Sequence, residues 1–188
     1  MNDFEPIIAF LKDAERLKST RRSAWTSTGE PETVAAHTWR LCLMALVLAD
    51  QFPEVNLDRV LRILLVHDLG EALHGDIPAP QQGVPGAKAE DERRDLLTIL
   101  APLPATSREG ILALWDEYEA CQTPEARLAK GLDKLETIMQ HNQGKNPAGF
   151  DYGFNLEYGR RFTGNDPRLA ILREMLDRET AARSRQLR

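Results

Sequence analysis

The stretch LLVHDLGEALHGDIP, residues 64–78, places ionisable side chains directly after an apolar helical run. Glu71 follows the adjacent pair His67 and Asp68 by about one turn of an α-helix. Burying an ionised carboxylate costs several kcal/mol unless a cation or hydrogen-bond donors compensate. A metal ion would supply that charge. A solvated helix end, with Asp76 capping the next turn, is the structural alternative, and for an isolated His-Asp pair it is the more frequent one.

Two residues elsewhere in the chain extend the candidate ligand set. His37 lies on an apolar helical face with Leu41, and Asp133 borders the apolar stripe of a later helix. Taken singly, each is more often a hydrogen-bonded core residue or a solvated acid than a metal ligand. Together with His67 and Asp68 they supply two imidazoles and two carboxylates. This set suits one divalent transition metal (Mn²⁺, Co²⁺, Fe²⁺, Ni²⁺ or Zn²⁺) and leaves coordination positions open for water and substrate.

The elements that must position these residues are predicted to be helices. Apolar residues recur at spacings of three and four, and no segment shows the alternation or β-branched clusters of strands, so the fold class is all-α. Glycines and prolines mark loops after Pro80 and after Gln143. Helices are predicted near residues 4–17, 33–51, 57–74, 88–101, 107–121, 124–143 and 167–184.

Capping residues mark the predicted starts of several helices. The composition of one helix also predicts that it is buried. Apolar side chains run around most of the helix 57–74, which predicts a central position in the core. The predicted caps are Asn56, Thr106 with Glu109 as a capping box, Thr123 before Pro124, and Asp166 before Pro167.

Composition and charge narrow the functional classes. Of the 188 residues, 42% are hydrophobic and 28% charged, as in a single globular domain spanning residues 1–188. The formal charge of −5 argues against nucleic-acid or anionic-membrane partners. The longest apolar run, residues 41–49, is far shorter than the roughly 20 residues of a membrane span. The acidic N-terminus and two dispersed cysteines, Cys42 and Cys121, favour a reduced, cytoplasmic protein.

The order His37, then His67 with Asp68, then Asp133, in an all-α chain of this size, resembles the HD-domain metal-dependent phosphohydrolases. The segments RRSAWTSTGEPETVAAH and HDLGEALHGDIP are similar to corresponding segments of the small 5'-deoxynucleotidase branch of that family. The resemblance covers roughly residues 16–140 and leaves 141–188 as a helical tail of the same domain. It implies an HD-type helical bundle of about seven helices with a metal site in the core, and a homodimer.

The resemblance also implies roles for individual residues. Glu71 is the acid-base group, Asp76 lies by the nucleotide sugar and leaving group, and Arg22 holds the phosphate. Trp25 matches the sugar-screening tryptophan of the eukaryotic relatives, whereas in bacterial relatives that tryptophan directly follows the arginine, so sugar preference stays open. The implied ligands of a single divalent metal are His37, His67, Asp68 and Asp133.

These roles predict a metal-dependent phosphohydrolase that removes phosphate from a nucleoside 5'-monophosphate, a deoxynucleotide by resemblance, with Glu71 orienting the attacking water. One alternative is hydrolysis of another phosphoester, such as a guanosine polyphosphate. A second is a non-catalytic metal-binding module, against which Glu71 argues because a structural site needs no free acid. A two-metal HD oxygenase would need two further histidines between Asp68 and Asp133, where only His74 occurs. His74 is predicted to be a helix-end residue near the mouth of the site.

Overall fold

The structure is a computed structural model that describes residues 4–77 and 87–186, so the loop predicted after Pro80 lies outside the described residues. The predicted all-α class is confirmed. No helix in the described part of the chain is long and apolar enough to cross a membrane. The α-helices are α1 Glu5–Ala14, α2 Val34–Val47, α3 Leu57–Val66, α4 Glu71–His74, α5 Ala87–Leu100, α6 Ala105–Ala120, α7 Pro124–Gln143, α8 Tyr152–Asn155, α9 Arg160–Thr163 and α10 Pro167–Gln186.

Within residues 4–77 and 87–186, a small β-hairpin is the one element other than helices, and the sequence did not predict it. Strands β1 Arg21–Trp25 and β2 Pro31–Thr33 pair antiparallel. Gly29, with φ of +96°, makes the tight turn between them. Strands of five and three residues are too short for alternation to register in the sequence. The hairpin brings Arg22 against the helical core.

The predicted helix 57–74 is wrong as a continuous element. Helix α3 ends at Val66, and the chain passes through tight turns before α4 begins at Glu71. In these turns the Leu69 N–H donates to Val66 O at 3.1 Å and the Glu71 N–H donates to Asp68 O at 3.0 Å. The helix is also not buried all round, because Leu65 is 65% exposed.

Three of the four predicted caps are present. The Asn56 side chain accepts from Arg59 N at 3.1 Å, that of Thr123 accepts from Ala126 N at 3.1 Å, and that of Asp166 accepts from Arg168 N at 2.8 Å. The predicted capping box of Thr106 and Glu109 is wrong. Helix α6 already begins at Ala105, because the carbonyl of Pro104 accepts the first intrahelical bond, from the Arg108 N–H at 3.0 Å.

Helix α7 is the central element, and it contacts α2, α3, α6 and α10. Leu132 and Leu135 of α7 pack with Leu41 of α2 and Ile63 of α3 in the main apolar cluster. Gly131 lets α10 approach, since a Cβ there would lie 2.6 Å from Leu169 Cδ1. This packing brings the inward faces of α2, the end of α3 and α7 to one place in the core.

Candidate metal centre and catalytic site

The two predicted histidine ligands direct the same ring atom towards the same point. His37 is fully buried near the start of α2, and its Nδ1–H donates to a carboxylate oxygen of Glu136. His67 follows α3, and its Nδ1–H donates to the carbonyl of Leu64 at 2.8 Å. In the neutral form of each ring, which is the form that binds a metal, these bonds place the proton on Nδ1 and the lone pair on Nε2. Both Nε2 atoms are buried and form no hydrogen bond within the described residues.

The two predicted carboxylate ligands lie beside these nitrogens. Asp68 Oδ2 is 3.1 Å from His67 Nε2 and 3.9 Å from His37 Nε2. Asp133 Oδ1 is 3.2 Å from His37 Nε2 and 3.9 Å from His67 Nε2. Ligand atoms about 2.1 Å from one ion are themselves about 3 to 4 Å apart. The buried, unpartnered nitrogens and their carboxylate neighbours therefore fit a divalent cation.

Electrostatics keep both carboxylates in the form that binds metal. Burial raises the pKa of Asp133, but Lys134, His37 and His67 outweigh it and hold that pKa well below its ordinary value. Its outer oxygen, Oδ2, accepts from the Tyr118 hydroxyl at 2.6 Å and from Lys134 Nζ at 2.8 Å.

Asp68 is also kept ionised, in part by Arg22 of the β-hairpin. Burial raises its pKa, but the His67 ring and the Arg22 guanidinium outweigh it and lower the pKa below the ordinary value. Asp68 therefore also stays ionised, as a cation ligand must.

Glu71 is a buried acid that follows the ligands His67 and Asp68 in the chain. It is the first residue of α4, and its Oε1 lies 3.5 Å from Lys88 Nζ of α5 while its Oε2 has no hydrogen-bond partner. Burial and the charges of Asp68 and Asp76 raise the pKa of Glu71 to about 10. A cation bound beside it would favour the ionised form and lower that pKa. Glu71 can therefore hold or release a proton depending on the charge nearby. Asp76 lies 3.8 Å from the same Lys88 ammonium.

The hairpin brings Arg22 to the ligand set. Its guanidinium donates to Asp68 Oδ2 at 3.2 Å and to the Thr137 hydroxyl at 3.1 Å, and its Nε lies 3.4 Å from Glu32. Trp25, at the end of β1, instead packs edge-on against Phe150 of the C-terminal tail, with ring centroids 6.3 Å apart.

His74 stays outside the site. Its side chain is 78% exposed, and its Nδ1 is 2.5 Å from Asp95 Oδ2 of α5.

Sequence reasoning missed the residues that support the ligands. Glu136 stands three positions after Asp133, and Arg40 three after His37, so each lies on the same helical face as a ligand. That spacing is the signal that would have pointed to them. Lys88 carried no such signal, because it reaches Glu71 from another helix. The remaining missed contacts are those of Glu32, Tyr118 and Lys134.

Cavity size does not single out this centre. A cavity of about 480 Å³ lies between Phe52, Arg127, Phe162 and Arg168 and contains none of the predicted site residues. The buried nitrogens of His37 and His67 lack partners, whereas the polar rim of this cavity is in part already paired, as Arg168 is with Glu54. Side-chain chemistry therefore identifies the site better than volume does.

A helical bundle that gathers two histidines and two aspartates from α2, the turn after α3 and α7, with a buried acid close by in the chain, is the architecture of a metal-dependent phosphohydrolase. The HD-domain family model matches residues 14–168, and the chain belongs to that family. The resemblance stated from the sequence is thereby confirmed, as is the enzyme class. The family and the buried ligand cluster together indicate a divalent metal site.

Several proteins similar to this chain are named 5'-deoxynucleotidases. The 5'-deoxynucleotidase HDDC2 of Danio rerio is 39% identical, over 73% of this chain and 68% of its own. The human protein of the same name is 36% identical, over 73% and 67%. A crystal structure described as a predicted metal-dependent phosphohydrolase from Magnetospirillum magnetotacticum superposes with a TM-score of 0.79 at 28% identity, covering 95% of both chains. The similarity therefore extends from sequence to the whole fold.

Proposed function

We propose that this protein removes the phosphate from deoxynucleoside 5'-monophosphates with the help of one divalent transition metal. The observation that carries the proposal is the pair of buried, unpartnered Nε2 atoms of His37 and His67 facing the ionised Asp68 and Asp133. The relatives named 5'-deoxynucleotidase support the choice of substrate class.

Four residues would hold the metal: His37, His67, Asp68 and Asp133. When bound, the cation supplies Lewis-acid polarisation of a phosphoryl oxygen and acidifies a water. Mixed imidazole and carboxylate ligands with open positions suit Mn²⁺, Co²⁺, Fe²⁺, Ni²⁺ and Zn²⁺. We propose Mn²⁺ or Co²⁺ as the metals to test first.

The chain's own residues supply the rest of the mechanism. Arg22 exchanges its contact with Asp68 for two phosphate oxygens, which its planar guanidinium matches. Glu71 would orient the attacking water, accept its proton during in-line displacement at phosphorus, and return a proton to the leaving 5'-oxygen as the phosphate–oxygen bond breaks. Asp76 binds the sugar beside the leaving 5'-oxygen, and Lys88 balances the charges of Glu71 and Asp76. Trp25 limits the space at the sugar.

A homodimer is part of the proposal. On α2, Trp39 is 66% exposed and Val47 72% exposed, with Leu43 and Leu46 beside them. These four residues form an apolar surface larger than scattered single side chains would make. We expect light scattering to give twice the chain mass, and Trp39→Glu to shift it towards the monomer. If the unmodified protein is a monomer, the proposed dimer is wrong, but the proposed activity is not affected.

We also place the protein in the cytoplasm. Cys42 and Cys121 are free thiols, as expected of a chain kept in a reducing compartment. Fractionation of the source cells with an antibody against the chain tests this, and recovery outside the cytoplasmic fraction would contradict it.

Phosphate release from a panel of substrates tests the function. Ribo- and deoxynucleoside 5'-monophosphates, guanosine polyphosphates and simple phosphoesters are each incubated with Mn²⁺, Co²⁺, Zn²⁺ or chelator. We expect turnover of deoxynucleotides that requires Mn²⁺ or Co²⁺ and stops with chelator. Turnover restricted to guanosine polyphosphates would support the other phosphoesterase. Metal binding without any turnover would support the non-catalytic module.

A further inference from the structure

A buried chain of alternating charges lies behind the metal centre, on the side of His37 away from its Nε2. Glu136 accepts from His37 Nδ1–H, and its other oxygen accepts from Arg40 Nε at 2.6 Å. An Arg40 terminal nitrogen is 4.0 Å from Glu32 Oε1, and Arg22 Nε is 3.4 Å from Glu32 Oε2. The side chains of Glu136 and Glu32 are 0% and 4% exposed.

We propose that these buried charged side chains position two functional residues. Glu136, held by Arg40, orients the metal ligand His37, and Glu32 orients the phosphate-binding Arg22. The proposal rests on the proposed function, because it assigns supports to residues that bind metal and phosphate there. Glu136, Arg40 and Glu32 are positioning residues, since each acts through another side chain.

The two histidines are supported differently, and the difference indicates what Glu136 does. His67 donates its Nδ1–H to a neutral carbonyl, that of Leu64, at 2.8 Å. His37 donates to the ionised Glu136. Hydrogen bonds to a charged acceptor are roughly twice as strong as neutral ones, and a carboxylate partner fixes the ring and makes the opposite nitrogen a better ligand. His37 is therefore the more tightly oriented of the two ligands.

A second metal ion is not needed to explain the acids behind His37. Ligand atoms of Glu32, His37 and Glu136 do lie within 4.8 Å of one another. Both carboxylates, however, already face guanidinium groups, Glu136 that of Arg40 and Glu32 those of Arg22 and Arg40. The arginines are the counter-ions, so these acids serve as supports.

A purely structural ion pair is the competing explanation. Buried ion pairs contribute little net stability compared with apolar packing, so stability alone does not account for the cluster. The spacing along the helices also matches support: Arg40 follows His37, and Glu136 follows Asp133, by three residues each. His37 and Asp133 thus each have a charged residue one turn away on their own helical face.

The test measures metal and phosphate binding separately, with the full chain stripped of metal. Mn²⁺ affinity is measured by calorimetric titration, and the affinity for inorganic phosphate by its inhibition of turnover or by titration of the Mn²⁺-loaded chain. Glu136→Gln keeps the shape of the side chain and removes its charge. We expect it to weaken Mn²⁺ binding by about 10- to 100-fold.

Glu32→Gln is expected to affect phosphate binding through Arg22 rather than metal binding. Mn²⁺ affinity stays within about threefold of the unmodified chain, while phosphate affinity falls by about tenfold because Arg22 loses its charged support. Glu117→Gln is the matched control, since Glu117 also binds an arginine, Arg59, at 2.8 Å but lies outside this cluster. It should change neither affinity.

Unchanged Mn²⁺ affinity in folded Glu136→Gln, or equal effects of the two substitutions on both ligands, would overturn the proposal. Circular dichroism establishes folding. If Glu136→Gln does not fold, Arg40→Lys replaces it, and an unchanged Mn²⁺ affinity there counts against the proposal. If the unmodified chain binds Mn²⁺ but the variants have the same Mn²⁺ and phosphate affinities as the unmodified chain, the proposed function stands and this inference is wrong. If the unmodified chain binds no divalent metal, the proposed function itself fails.

Discussion

At the scale of single residues, Glu71 shows how burial and charge prepare a group for proton transfer. Its side chain is almost wholly buried, and the neighbouring Asp68 and Asp76 disfavour its charge, whereas Lys88 favours it. These opposing effects make its protonation state sensitive to the arrival of a cation or a phosphate. A general base with this property suits a hydrolase that must take a proton from water.

Glu71→Gln tests that role. The amide still fits the site and cannot accept a proton, so we expect kcat to fall by about 10²- to 10⁴-fold. Bound Mn²⁺, measured by elemental analysis after gel filtration, should stay at one per chain. Glu119→Gln is the control, because Glu119 also pairs with a lysine, Lys130 at 3.0 Å, away from the site. Full activity of Glu71→Gln would refute the mechanism.

His37 predicts how metal affinity depends on pH. Burial and Arg22 disfavour its protonated form, but Glu136 and Asp133 outweigh them and raise its pKa from 6.5 to about 9 in the metal-free chain. A cation must displace that proton, so Mn²⁺ affinity should rise by about tenfold per pH unit between about pH 6 and pH 8. Calorimetric titration in two buffers of different ionisation enthalpy counts the proton released. A pH-independent affinity would contradict the raised pKa.

At the scale of elements, the break between α3 and α4 determines the geometry of the site. Tight turns replace the last turns of the predicted helix and let His67 and Asp68 face one point while Glu71 starts a new helix. Gly70 allows this by close approach rather than by unusual backbone angles. A Cβ at Gly70 would lie 2.5 Å from the carbonyl oxygen of Glu92 in α5.

Gly70→Ala should therefore force α4 away from α5. We expect the free energy of unfolding, measured by urea denaturation, to fall by about 1–3 kcal/mol, and kcat to fall because Glu71 is the next residue. Gly110→Ala in α6 is the control: a Cβ there meets no atom within 4 Å, so stability should hold or rise by about 0.5–1 kcal/mol. If the two variants have the same free energy of unfolding, the close approach of Gly70 to α5 does not contribute to stability.

At the scale of the whole molecule, the metal centre joins parts of the chain that are far apart in sequence. Its predicted ligands come from α2, from the turn after α3, and from α7, the central helix of the bundle. A ligand that binds only the folded chain stabilises it, by about 2.7 kcal/mol at a concentration 100 times its dissociation constant.

Thermal unfolding should accordingly respond to metal. Mn²⁺ at that concentration should raise Tm by roughly 5–10 °C over the chelator-treated protein, since 1 kcal/mol shifts a domain of this size by about 2–4 °C. His67→Ala removes one ligand and should lose most of the increase. The measurement is differential scanning calorimetry. The same Tm with Mn²⁺ and with chelator would mean that the four residues do not bind it.

The sequence by itself determined the helical class, the family and the residue types of the site. Helical spacing of apolar residues and local capping at Asn56, Thr123 and Asp166 depend on neighbouring residues only, so they could be predicted. The assignment of residues 141–188 as a tail stays a prediction. The roles of individual site residues also stay predictions, although the structure brings His37, His67, Asp68 and Asp133 together.

Only the tertiary structure decided where the long helix breaks, which acids support the ligands and what lies beside Glu71. The hairpin, the close contact of Gly70 with α5 and the approach of Lys88 depend on segments that are distant in the chain. Local sequence carries no signal for such contacts, because they arise when packing brings separate helices together. The charged stretch after α3 is thus explained only when α2 and α7 place His37 and Asp133 beside it.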